Sequence, residues 1–120
     1  MDNAGPIVKW VGGKTKLLPE LRARMPPRYR CYYEPFVGGA AMFFALAPDD
    51  ACLSDMNQAL IDTYRAVRDH VEEVIGRLEE HKARHGKHGY YYEIRETWNA
   101  QRWRSDGVGS AAAFIYLNKT

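Results

Sequence analysis

The sequence predicts an α/β fold built on a parallel sheet. Two observations carry this reading. A strand, a glycine-rich turn, a compact apolar helix and a second strand follow one another between Arg30 and Asp55. That order is a βαβ unit, whose two strands must run parallel. Beyond residue 57 the apolar period becomes helical, with Leu60, Tyr64, Val67, Val71, Val74 and Leu78 at alternating steps of four and three.

The elements follow in order. Ile7-Val8-Lys9-Trp10-Val11 is a short apolar segment, broken by the loop Gly12-Gly13-Lys14-Thr15. Thr15 suits the N-cap of a helix over 16–25, with Leu17, Leu18, Leu21 and Met25 as its buried stripe. Pro19 is tolerated near the start of that helix, and Pro26-Pro27 ends it. The first strand is expected over 30–35, with Tyr32 and Tyr33 pointing to opposite faces. Phe36-Val37-Gly38-Gly39 forms the turn, a helix covers 40–46, Pro48-Asp49-Asp50 turns back, and the second strand covers 51–55. Asn57 caps a helical stretch reaching residue 84, either one helix or two with a break near Asp69-His70. A loop over 85–89 leads to a helix over 90–103. After a loop over 104–109, Ser110 caps a last apolar helix over 111–118. Two strands are few for a free-standing sheet, so the 120 residues are expected to be incomplete or to need a partner.

Composition excludes several classes. Apolar residues make up 46% and charged residues 27%, ordinary for a globular chain. No apolar run approaches the roughly 20 residues of a membrane span, and the N-terminus lacks the pattern of a secretory signal. Cys31 and Cys52 make neither a disulfide framework nor a zinc pattern, so both read as reduced thiols of a cytoplasmic protein. The net charge is only +2, but it is uneven: residues 1–30 carry seven basic side chains against Asp2 and Glu20, a balance of +5 that leaves −3 for the rest. Such a segment suits phosphate contacts or a solvated helix face.

The chemistry gathers around Glu34-Pro35-Phe36-Val37-Gly38-Gly39-Ala40. A glycine turn after a strand lets the backbone approach a ligand closely, and the next helix start offers N–H groups. Asp55 closes the second strand 21 positions after Glu34, close to the spacing at which an acid meets ribose hydroxyls in dinucleotide-type folds. Taken alone, Gly38-Gly39 also fits a plain tight turn, and Asp55 a capping or turn residue. GxGxxG is absent, which disfavours a dinucleotide oxidoreductase. A single glycine pair suits a ligand without pyrophosphate, such as S-adenosylmethionine.

Lys9-Trp10-Val11-Gly12-Gly13-Lys14, the Glu34–Ala40 loop, Leu53-Ser54-Asp55-Met56-Asn57 and Phe114-Ile115-Tyr116-Leu117-Asn118-Lys119 come in this order along nearly the whole chain. They resemble the K-W-x-G-G-K, E-P-F-x-G-x-G/A, D-x-N and F-x-Y-L-N-[RK] segments of Dam-type (D12 class) DNA adenine-N6 methyltransferases. The resemblance implies the N-terminal part of a Rossmann-like S-adenosylmethionine-dependent methyltransferase domain, with cofactor motifs over 7–57 and a helical segment over 57–120. It implies S-adenosylmethionine as cofactor and double-stranded DNA as partner of the complete enzyme. It places Trp10 and Lys14 in the cofactor site, with Lys14 on the methionine carboxylate. It passes Glu34, Pro35, Phe36 and Gly38 under the cofactor and sets Asp55 on the ribose. Phe36 is balanced between core and ligand.

The family's Asp-Pro-Pro-Tyr holds a flipped adenine in line with the sulfonium methyl. It does not occur here, since the sole Pro-Pro is Pro26-Pro27 between Met25 and Arg28. No catalytic residue is therefore assigned, and the chain alone is expected to be inactive. An alternative is a half-protein that acts only with a chain bearing that motif, suggested by the apolar last helix. His81, His85 and His88 have near-zinc spacing but lack a completing ligand, and they read as polar surface residues. Tyr90-Tyr91-Tyr92 reads as helix packing ahead of base stacking. The Leu60–Leu78 pattern reads as a helix packed on its own sheet ahead of a dimerising coiled coil.

Overall fold

A computed structural model describes residues 5–10, 12–100 and 106–120. The chain divides into two units, Met1–Met56 and Asn57–Thr120.

In the first unit, a 3-10 turn over Thr15–Leu17 runs into helix α1, Leu18–Ala23. Lys14, not Thr15, occupies the cap position, and no side chain caps it. The expected buried stripe is not realised. Leu18, Leu21 and Met25 are half-buried, and Leu17 is exposed. Strand β1, Tyr32–Glu34, and strand β2, Ala51–Leu53, are parallel, in the register Tyr32 to Ala51, Tyr33 to Cys52 and Glu34 to Leu53. Between them lies α2, Ala41–Leu46. The predicted βαβ unit is therefore present, with strands shorter than expected. Tyr32 is buried and Tyr33 exposed, as alternation requires. Val8, Val37, Ala40, Ala41 and Met42 supply buried apolar surface. Cys31 and Cys52 are free thiols.

The second unit is helical: α3, Gln58–Asp69; α4, Val71–Arg84; α5, Tyr90–Asn99; and α6, Gly107–Lys119. Asn57 caps α3 as expected, its Oδ1 accepting from the Leu60 N–H. The open choice between one helix and two resolves at His70, whose backbone (φ −139°, ψ 42°) leaves the helical region. That break interrupts the heptad, and Val71 is exposed, so no continuous coiled-coil seam forms. Within the unit, α3, α4 and α5 all contact α6. Within this unit, α3 and α4, which carry the heptad, pack on α6. The expected helix over 90–103 ends at Asn99, and residues 101–103 lie outside the described ones, as do 104 and 105 of the following loop.

Asp106 caps α6 in place of Ser110. Its Oδ1 accepts from the Gly109 N–H at 2.9 Å, and its Oδ2 pairs with Arg77 at 2.9 Å. α6 is apolar around most of its circumference, with Gly109, Ala111, Ala112, Ala113, Ile115 and Tyr116 buried. A helix of that kind belongs inside. The three neighbouring helices cover it, which removes the exposed apolar helix that suggested a half-protein.

His81 is buried, contrary to its reading as a surface residue. Its Nδ1 shares a hydrogen bond with the Tyr90 hydroxyl, and its ring stacks on Tyr116 at 5.0 Å between centroids. The His85 Nδ1 shares a bond with the Tyr116 hydroxyl at 2.8 Å. Tyr90 therefore packs, whereas Tyr92 stays exposed under the Arg95 guanidinium. Burial holds the His81 pKa below the ordinary histidine value; Arg77 and Arg84 act in the same direction, and Glu80 opposes them. Protons therefore bind the unfolded chain more readily. The stabilisation is complete above the unfolded value, about pH 6.5, and is lost as pH falls through the folded one. The melting temperature of the chain is expected to drop between about pH 7 and pH 5, with a shallower drop for His81→Gln. Equal slopes in circular-dichroism melts of the two proteins would refute this.

Candidate functional site

Hydrogen bonding between the strands continues past their ends. The Ser54 N–H donates to the Glu34 carbonyl at 3.0 Å, and the Val37 N–H donates to the Ser54 carbonyl at 2.8 Å. The turn after β1 is thereby bound to the end of β2, bringing Gly38 and Asp55 together. Asp55 Oδ2 accepts from the Gly38 N–H at 3.1 Å.

Beside this junction lies a cleft of about 210 Å³. Trp10, Gly12, Gly13 and Lys14 line one part of it, Phe36 to Ala41 another, and Asp55 a third. The cleft sits at the carboxyl ends of parallel strands, where open α/β sheets bind ligands. Gly38 is dictated by two constraints. Its φ is +52°, and an added Cβ would lie 2.8 Å from Trp10 Cδ1. Phe36 and Ala40 also take positive φ, 59° each, so the turn is held in a conformation that L residues seldom adopt.

A second cluster adjoins the cleft. Lys14 Nζ donates to Glu34 Oε1 at 2.9 Å and to the Phe36 carbonyl at 3.4 Å. The Tyr32 hydroxyl donates to Glu34 Oε2 at 2.7 Å. The Glu34 side chain is 6% exposed and that of Lys14 37%, so the cation reaches solvent and the carboxylate does not. Tyr32 has its phenol pKa pushed well above the usual value, first by burial and then by its bond to Glu34.

Of the residues singled out in the sequence, Trp10, Lys14, Phe36, Gly38 and Asp55 line one cleft. Glu34 and Pro35 do not. Glu34 is buried behind Lys14, and Pro35 is exposed. Phe36 is 70% exposed and lines the cleft, which settles its balance away from the core. Sequence reasoning missed Tyr32, whose hydroxyl bond to Glu34 follows only from the strand's alternation placing both on one face. Among the described residues no three His, Cys, Asp or Glu side chains could hold a metal ion. Nor is any described helix long and apolar enough to cross a membrane.

The family model for D12 class N6 adenine-specific DNA methyltransferases matches residues 10–120. The type II methyltransferase M1.LlaDCHI of Lactococcus lactis subsp. cremoris is 42% identical over 116 residues, covering 96% of this chain and 40% of that protein. The type II methyltransferase M.MjaIII of Methanocaldococcus jannaschii is 32% identical, over 96% of this chain and 45% of its own length. The DNA adenine methylase of Haemophilus influenzae is 31% identical, over 95% and 40% respectively. The chain thus spans less than half the length of these relatives. The extent of the family match, joined to a glycine turn and an acid meeting at the ends of parallel strands, places this chain in the D12 class of N6 adenine-specific DNA methyltransferases.

Proposed function

We propose that the chain is the S-adenosylmethionine-binding part of a Rossmann-like catalytic domain, and that the complete protein methylates N6 of adenine in double-stranded DNA. The observation that carries this is the meeting of Lys14, Gly38 and Asp55 around one cleft at the strand ends. The donor set suits two parts of the cofactor, its carboxylate and its ribose. Lys14 offers a cation to the methionine carboxylate. Asp55 offers acceptors to the ribose hydroxyls, and Gly38 lets the Trp10 indole, itself part of the cleft wall, lie against bare backbone. At about 210 Å³ the cleft is smaller than the roughly 300 Å³ of a typical ligand pocket, so it fits part of the cofactor.

When bound, the cofactor supplies an electrophilic methyl on a sulfonium. The residues of this chain bind and orient it. Adenine N6 is a weak nucleophile because its lone pair is delocalised into the ring, and it must be held in line with the methyl. The Asp-Pro-Pro-Tyr that the resemblance assigns to this task does not occur among these 120 residues, and none of them is assigned to it. The name of the Haemophilus influenzae relative, DNA adenine methylase, supports the same substrate class.

Asp55→Ala is expected to weaken S-adenosylmethionine binding about ten-fold or more, the equivalent of one hydrogen bond to a charged group. Asp55→Asn keeps an acceptor for the Gly38 N–H and separates loss of ribose contact from loss of turn geometry. Unchanged affinity of Asp55→Ala in titration calorimetry would remove Asp55 from the site.

A further inference from the structure

We infer that the Tyr32 hydroxyl is a positioning group for the cofactor's amino-acid end, acting through Glu34 on Lys14. The inference rests on the assignment of Lys14 to the cofactor carboxylate and goes one layer deeper. A lysine ammonium on a four-carbon stem is a flexible point charge, and holding it in one place costs side-chain entropy. Here the stem is held before any ligand arrives. Glu34 Oε1 and the Phe36 carbonyl take two of the three Nζ–H directions. The third remains for an incoming carboxylate.

Glu34 itself needs fixing. Its side chain is buried, so each oxygen wants a donor from the protein. Lys14 satisfies Oε1, and Tyr32 satisfies Oε2. Without the hydroxyl, Oε2 loses that donor. The carboxylate can then rotate and compete for a second Lys14 N–H, the one meant for the ligand. The hydroxyl also draws Glu34 charge away from the site that must accept another carboxylate. Tyr32 reaches Glu34 because residues i and i+2 of a strand share a face. Tyr32 is absent from the cleft lining, so its effect on the ligand is indirect.

The test is a titration of the 120-residue chain and its Tyr32→Phe and Lys14→Met variants with two probes. S-adenosylmethionine carries the amino-acid end; 5′-methylthioadenosine keeps adenine, ribose and sulfur and lacks that end. Tyr32→Phe retains the ring and its packing. It is expected to weaken S-adenosylmethionine binding about three- to ten-fold, the range of a lost hydrogen bond, and to leave 5′-methylthioadenosine binding unchanged. Equal weakening of both probes would mean that the ring and hydroxyl serve the fold only, and would overturn the inference. So would no change in either. Lys14→Met reads the underlying assignment separately. If it too fails to discriminate the probes, Lys14 does not meet the carboxylate and the inference falls with that assignment. If Lys14→Met discriminates and Tyr32→Phe does not, the cofactor reading stands and Tyr32 has no positioning role. Absence of S-adenosylmethionine binding by the unsubstituted chain would overturn both.

Discussion

Gly38→Ala is expected to destabilise the Met1–Met56 unit by about 2–5 kcal/mol and to abolish measurable cofactor binding. Two penalties act together. A left-handed conformation costs an L residue about 1–2 kcal/mol, and Gly38 has φ +52°. The new methyl would lie 2.8 Å from Trp10 Cδ1, and overpacking of this kind costs about 1–3 kcal/mol. The indole could relieve the clash by moving, but Trp10 lines the cleft, so relief there deforms the ligand site. Two neighbours separate the terms. Gly12 has φ +78° and open space where a Cβ would sit, so Gly12→Ala measures the backbone penalty alone. Gly39 lacks a positive φ, and its Cβ would sit 3.3 Å from the Val8 carbonyl, so Gly39→Ala measures mild crowding alone. In urea titrations Gly38→Ala should lose more than either control. A loss no larger than that of Gly12→Ala would show that Trp10 yields freely.

Lys14→Met is expected to be the other severe substitution, and more damaging than Glu34→Gln. Removing the cation leaves a buried carboxylate on which the Tyr32 hydroxyl still donates at 2.7 Å. Breaking a fully buried pair by removing one partner costs about 3–5 kcal/mol. Lys14 is about a third exposed, so solvent screens the pair, and about 2–3 kcal/mol is the expected loss. Glu34→Gln removes the charge and keeps an acceptor. The lysine it leaves behind can turn to water, so about 1 kcal/mol is expected. The double variant Lys14→Met/Glu34→Leu should recover part of the loss, because an apolar pair has nothing to desolvate. With the single variant Glu34→Leu added, the denaturation midpoints of the unsubstituted chain, Lys14→Met, Glu34→Leu and the double variant form a double-mutant cycle. Additive losses would mean that the two side chains do not act as a pair.

The βαβ order and the Glu34–Asp55 spacing were readable in the sequence because they depend on local turn chemistry and the length of one strand-helix-strand passage. The α3 cap at Asn57 was readable for the same reason. What escaped depends on partners far along the chain. Ser110 and Asp106 are both reasonable cap residues; Asp106 caps, and it also pairs with Arg77, 29 residues away. His81 looked solvated because a histidine on a helix reads as polar. Its burial depends on Tyr90 and Tyr116, which come from two other helices. Glu34 looked like a ligand contact because its motif surrounds the turn. The structure turns its carboxylate inward to Lys14 and Tyr32. Leu17 fitted a helical stripe whose other members are only half-covered within their own unit.

The central place of α6 governs the order in which the second unit can assemble. Helices α3, α4 and α5 share this element as their apolar partner, yet it is made after all of them. On a ribosome adding about 5–20 residues per second, the three earlier helices emerge with their inner faces uncovered. Only when Tyr116 has cleared the exit tunnel can His85 meet its hydroxyl and the buried Ala111-Ala112-Ala113 surface be filled. The nascent unit therefore passes through a window in which a holdase would find its apolar faces open, and that window closes with one late helix.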